Sequence, residues 1–291
     1  MFVSNHYYSH ARVLRRYCGV ISDGSLPGRL QHGWTAEHGH AVRFFKEPWP
    51  KYVWNQKNLR LCDRDGAKNI VAIGAPFLYL PYQDSVEVQP LDHSILAYPF
   101  HGWEEDELVS DMENYARSLD KLVSDGFGPV TVCLYWKEYE NLSTRLIFER
   151  RGFAVTTNGH RDGEHDFLLR QRKQLFEHAY VTSNRVCTAL FYALFSRRKA
   201  FLHGPSMSLS KSDDPTGEIY ALWQSEAFPE LSFETFGDHS YRSIAERELG
   251  LEFRQSRDEL QQTLAVGTGG LPLHMFRHIQ RRFWYFSNYK K

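Results

Sequence analysis

The chain has 291 residues, 42% of them hydrophobic, and 35 Lys+Arg against 35 Asp+Glu, which is enough apolar material for one large domain or two smaller ones. The neutral total is unevenly spread: after Gly270 stand five basic residues, Arg277, Arg281, Arg282, Lys290 and Lys291, and no acidic one. The body before them is therefore slightly acidic and carries no basic stripe, which argues against a nucleic-acid partner.

Four cysteines, Cys18, Cys62, Cys133 and Cys187, are scattered without a CxxC pair and read as reduced residues of a cytoplasmic protein. The N-terminal stretch MFVSNHYYSHARVLRRY lacks an uninterrupted apolar run, so neither a signal peptide nor a membrane span is expected there.

In chain order, a helix is expected over HYYSHARVLRRYCGVI, then a turn-rich segment, then a short strand running into the loop QHGWTAEHGH. WPKYVWNQKNLRLCDRDGAKNIVAIGAPFLYLPY reads as strand, polar helix, glycine turn and apolar strand. Together these form an abbreviated α/β domain over residues 1–88. The polar connector QDSVEVQPLDH marks a boundary.

From Ser94 the pattern becomes regular. SILAYPFH, PVTVCLYW, FAVTTNG and YVTSN read as strands, separated by helices. The first of these helices places Leu108, Met112, Tyr115, Leu119 and Leu122 on one face. Strands alternating with helices at this spacing predict a parallel sheet covered on both faces, in a domain spanning 89–270.

The carboxyl ends of such strands are where parallel sheets bind ligands. They carry His101-Gly102, Tyr135-Trp136, Asn158-Gly159-His160, Ser183-Asn184 and His203-Gly204-Pro205. A loop residue at a strand end is the plainer reading of any one of these. As a set they offer phosphate donors, an aromatic pair for a base, and glycines for close approach. The stretch YVTSNRVCTALFYALFSRRKAFLHGP, in which a strand breaks at Ser183-Asn184 and opens an apolar helix, predicts free N–H groups and the positive end of a helix dipole, suited to an anion.

His32, directly after a predicted strand, is the candidate general base, with Glu37 as the nearest carboxylate to orient it or act in its place. His32, His38 and His40 match no zinc spacing, and HExxH, GxGxxG, Walker A and GxSxG are all absent. No metal site and no cofactor is expected. The tail 271–291 mixes aromatics with arginines. It reads equally as a basic amphipathic helix for an anionic membrane surface or as a helix packed back across the domains.

The segments QHGW, VAIGAPFLYL, ILAYPFHG, YVTSN…TALFYALF…KAFLHGP and ERELG together resemble the bacterial GT-B-type glycosyltransferases that build capsule and lipopolysaccharide chains. The His-Gly pair is also similar to one in glycerophosphotransferases of teichoic acid synthesis.

The resemblance implies two Rossmann-like domains, the first abbreviated. It implies a nucleotide-sugar donor held by the second domain through His101, Tyr135, Gly159, Ser183, Asn184 and Thr188, alongside the strand-end residues Trp136, Asn158, His203 and Gly204. It also implies a saccharide or lipid-linked acceptor held against the first domain, with His32 as base and inverting, metal-independent transfer. The alternatives are a glycerophosphate-type transferase of the same fold and a non-catalytic module of a polysaccharide assembly complex. The expected location is the cytoplasm, or the inner face of the cell membrane.

Overall fold

The computed structural model describes residues 2–22, 24–81, 90–102, 108–109, 111–214, 216–236 and 241–266. Most of the expected connector, residues 83–89, and the tail at 271–291 lie outside them, while the connector's last residues, Leu91 to His93, are already in a strand. Two compact units are present: Met1–Gln83 with Arg161–Asp166 and Glu246–Lys291, and Asp84–His160 with Phe167–Ala245. No helix among the described residues is long and apolar enough to cross a membrane.

In the first unit the expected N-terminal helix is shorter than its pattern suggests. Tyr7 is extended, and Tyr8 and Ser9 take left-handed backbone angles, φ 56° and 60°. The α-helix α1 therefore begins only at His10 (His10–Tyr17).

β1 (Arg29–Leu30), β2 (Lys51–Val53) and β3 (Ile70–Ala72) form a parallel sheet in that order, with α2 (Gln56–Arg64) between β2 and β3. Asn55 starts α2 by accepting the Asn58 N–H at 2.9 Å, which satisfies one of the donors a helix leaves unpaired. Lys51 is fully buried. Its ammonium donates to the carbonyls of Glu47, Trp49 and Lys68 at 2.9, 3.0 and 2.9 Å, the hydrogen bonding that a buried charge requires.

The second unit carries the regular α/β pattern. β4 (Leu91–Tyr98) is followed by β5 (Leu108–Val109), α3 (Met112–Ser124), β6 (Val130–Leu134), α4 (Trp136–Glu140), α5 (Leu142–Glu149) and β7 (Ala154–Thr157). Then come α6 (Phe167–Glu177), β8 (His178–Ser183), α7 (Thr188–Phe195), β9 (Lys199–Leu202), β10 (Ser208–Leu209), α8 (Glu218–Ala227) and α9 (Arg242–Leu249).

Five of these strands make one all-parallel sheet in the order β7-β6-β4-β8-β9. The chain starts in the middle, builds outward to β7, then returns to the other side of β4. α3 packs against α5 and α6 against α7, one pair for each half of this doubly wound, Rossmann-like sheet.

The core follows from the sequence. Ile95, Ala97, Val130, Val132 and Leu134 from the strands meet Met112, Tyr115, Ala116, Leu119 and Leu122 from α3. α7 is apolar all round, and Ala189 to Leu194 are buried without exception, as expected for a helix enclosed by the fold.

One expectation shifts. Leu108 is not on the α3 face: it lies in β5, which pairs antiparallel with β10, while α3 starts after Asp111, whose carboxylate accepts the Asn114 N–H at 2.9 Å. The Ser-rich segment after Pro205 contains β10 and leads into α8.

The chain rejoins the first unit at Glu246. The segment holding α10 (Arg257–Leu264) therefore belongs with residues 1–83, where the sequence pattern assigns it to a domain ending at 270. Close hydrogen bonding is the reason: the Ala75 N–H donates to Leu249 O at 2.8 Å, and the Asn55 side-chain amide to Glu248 O at 2.7 Å. Gly250, at φ +70°, passes so close that a Cβ there would stand 1.8 Å from the Trp54 carbonyl. Ser256 and Glu259 form a capping box at the start of α10.

Candidate functional site

The order of the five-stranded sheet reverses between β4 and β8, and in open α/β sheets the crevice at the carboxyl ends of such a pair is the ligand position. Here the crevice is built around Asn184, which is buried. Its carbonyl-type oxygen accepts the Phe100 N–H at 2.8 Å, its amide donates to Pro205 O at 2.8 Å, and its backbone carbonyl accepts from Gln224 Nε2 at 3.3 Å. The loops after β4, β8 and β9 are thereby tied to one side chain.

This corrects the expected anion nest at Ser183-Asn184. Ser183 is buried and accepts the Arg185 N–H at 3.2 Å, and the Val186 N–H goes to Gln224 Oε1 at 2.8 Å. The helix begins later, at Thr188, which is half-buried. The Arg185 and Val186 donors are thus spent holding the loop, and Asn184 positions its neighbours.

Around this crevice the side chains form a continuous row. The Arg185 guanidinium lies 3.6 Å from the Tyr220 ring centroid and 4.2 Å from that of Phe100. From Phe100 the row continues to His101 at 6.3 Å, which stacks on Tyr135 at 4.3 Å and 11°. Trp136 follows at 5.9 Å from Tyr135 and His160 at 4.3 Å from Trp136. The row spans the loops after β8, β4, β6 and β7.

Offset rings and a stacked guanidinium are mutually stabilising arrangements. They also present π surface and N–H donors along one edge of the sheet. Polar capacity is left over: the Trp136 Nε1 and Glu138 Oε2 atoms are buried without a hydrogen-bond partner among the described residues, although Glu138 Oε1 accepts the Gly102 N–H at 3.3 Å.

The remaining expected donor residues have other surroundings. Asn158 is buried, with its side chain beside the Tyr98 hydroxyl, and its carbonyl accepts from Arg170 at 3.2 Å. Gly159 takes φ +88° and donates its N–H to Thr157 Oγ1 at 3.1 Å.

His203 Nε2 meets the Ser118 carbonyl at 2.9 Å. A carbonyl only accepts, so this nitrogen carries the proton. Gly204, at φ +112°, sits where a Cβ would fall 2.7 Å from the Tyr115 ring. His203, Gly204 and Asn184 line a cavity of about 320 Å³ with Lys121, Phe233 and Glu234.

In the first unit His32 follows β1 as expected. Burial, the His40 ring and the Arg161 and Arg29 guanidiniums lower its pKa to about 4. His10 is lowered to about 3 and His40 to about 4, in both cases mainly by burial. All three rings are therefore neutral near pH 7. His32 packs on Tyr7 at 5.2 Å, and its Nδ1 is buried without a partner among the described residues.

The lowered pKa leaves His32 free to accept a proton but makes it a weak base, since strength follows pKa. Glu37 is exposed, and the hydrogen bonds at that position come from its backbone: its N–H donates to Thr35 Oγ1 at 3.1 Å and its carbonyl accepts from Asn58. No bond joins its carboxylate to His32 among the described residues, so the expected orienting contact is absent there. His38 pairs with Asp65 at 2.5 Å. Among the described residues no three His, Cys, Asp or Glu are grouped to hold a metal ion.

No protein-family model and no curated protein matches the chain. Among solved structures it is similar to the S. aureus MnaA–UDP co-structure, with a TM-score of 0.41 and 7% sequence identity over 74% of this chain. The match spans 58% of that chain. At that score the likeness assigns neither family nor ligand here.

Phe100, Arg185, Tyr220 and Glu138 are the members of the site that reasoning from sequence did not select. Arg185 had a signal, as the first cation after the fourth strand, beside a pair already singled out. Tyr220 had none, because α8 joins the site only through folding.

Proposed function

We propose that the chain is a nucleotide-sugar-dependent glycosyltransferase of GT-B type, whose second unit binds the donor along the row from Arg185 to His160. The observation that carries this reading is the row itself, a cation and five aromatic rings set across the carboxyl ends of four parallel strands where their order reverses. Flat rings suit a base and a guanidinium suits phosphate. The saccharide or lipid-linked acceptor, the inverting course and metal independence rest on the sequence resemblance. In this reading the neutral His32 ring takes the acceptor hydroxyl's hydrogen bond in the first unit.

The test is thermal shift with nucleoside diphosphates and their sugar conjugates, because a ligand that binds only the folded chain raises its melting temperature. At least one nucleotide is expected to do so, and Tyr135→Ala to weaken it about tenfold, the scale of a lost base–aromatic contact. No shift with any nucleotide would overturn the reading.

One observation favours a second reading, a non-catalytic module of a polysaccharide assembly complex. The expected base, His32, is a weak one, with its pKa lowered to about 4. The two readings part on nucleotide binding: the module would bind acceptor or partner but no nucleotide, and His32→Ala would leave its function intact.

A further inference from the structure

Resting on the nucleotide reading, we propose that Arg185 is the phosphate-binding residue of the second unit and that it fixes which way round a nucleotide lies: diphosphate at Arg185, base toward His101 and Tyr135. Three observations point there. The guanidinium sits in the loop directly after β8, at the reversal of strand order, held between the Phe100 and Tyr220 rings at 4.2 and 3.6 Å. Packing on two rings restricts the group, and of its five N–H donors the Tyr220 hydroxyl takes one, so the planar fork can still bind phosphate oxygens in pairs.

Second, among the described residues no carboxylate forms an ion pair with Arg185, whose guanidinium donates to the Tyr220 hydroxyl. Third, two backbone donors of the loop are already committed. The N–H groups of Arg185 and Val186 are committed to Ser183 and Gln224, so the loop offers an anion a side chain in place of a nest of amides. A positive group oriented in advance loses little freedom when it binds, which favours affinity.

The direction of the ligand follows from the row. Arg185 stands at one end, and the stacked His101–Tyr135 pair lies beyond Phe100. Phosphate at the cation places the flat base on the rings.

The experiment measures binding of three probes by calorimetry: inorganic pyrophosphate, the nucleoside diphosphate that gives the largest thermal shift, and the matching nucleoside. Each is titrated into the full chain and into Arg185→Gln, Arg185→Lys and Tyr135→Ala. Arg185→Gln is expected to weaken the diphosphate about tenfold to a hundredfold, the scale of a lost charged hydrogen bond, and to abolish pyrophosphate binding while sparing the nucleoside. Arg185→Lys, which keeps the charge without the planar fork, should fall between. Tyr135→Ala should weaken nucleoside and diphosphate by the same factor.

Equal diphosphate affinity in wild type and both Arg185 variants overturns the proposal and leaves the nucleotide reading standing. Arg185-dependent pyrophosphate binding with no gain from any base supports the anion site and overturns the nucleotide reading. Nucleoside affinity that falls with the diphosphate in Arg185→Lys, with the melting temperature unchanged, overturns the assigned direction.

Discussion

At the scale of single residues, the histidines of the first unit are the most telling. His10, His32 and His40 are all held neutral by burial, with neighbouring charge adding to the effect at His32. The linkage has a definite sign. A histidine whose folded pKa lies below its unfolded value binds its proton more readily when unfolded, so its contribution is fully present above about pH 6.5 and is lost as the pH falls toward the folded value. His10 alone, lowered to about 3, is expected to cost about 1.4 kcal/mol per pH unit in that window. Urea unfolding at pH 7 and pH 5 should show the wild type markedly weaker at the lower pH and His10→Phe with a flatter dependence. Equal wild-type midpoints at both pH values would refute the assignment.

At the scale of elements, the decisive contacts lie between loops rather than within helices or strands. Asn184 joins the ends of β4 and β9 through the Phe100 N–H and Pro205 O, both at 2.8 Å. Asn184→Ala strips partners from buried groups, which costs about 1–3 kcal/mol for each group left unsatisfied. The variant is expected to melt lower and also to lose nucleotide affinity, because Phe100 holds Arg185 on one face. Retained affinity in a destabilised Asn184→Ala would separate the loop tie from the site. The caps belong to this scale too: Asn55, Asp111, Asn141 and Ser256 each accept a first-turn N–H, and the sequence displays the last of these as an S-x-x-E pattern.

At the scale of the whole molecule, the first unit is assembled from three pieces of chain. Residues from 246 onward supply it with Glu248, which accepts from Trp34 Nε1 at 2.8 Å, and Gln261, which donates to Cys18 O at 2.6 Å. They also supply the Thr263 carbonyl, which accepts from Tyr52 at 3.2 Å. A chain ending at residue 245 therefore leaves several buried partners unpaired in the first unit and none of these in the second. Hydrogen exchange on that truncated chain should show protection lost across residues 2–81 and kept in β4, β6 and β8. Uniform loss would mean the two units unfold as one.

The sequence by itself determined the parallel α/β sheet of the second unit, because buried strands and amphipathic helices write their periods into a local window, and Leu119 and Leu122 are core for that reason. It also determined which strand ends carry rings, and so His101, Tyr135 and Trp136. What only the tertiary structure decided is how polar groups are spent. Asn184 looks like an open donor in a one-dimensional pattern, but its partners at Phe100, Pro205 and Gln224 lie between 21 and 84 positions away and come near only through the fold. The same holds for Arg185, whose orientation is set by rings on two distant segments, and for the return of residues 246–266 to the first unit, which depends on close backbone approach at Gly250 rather than on any local preference.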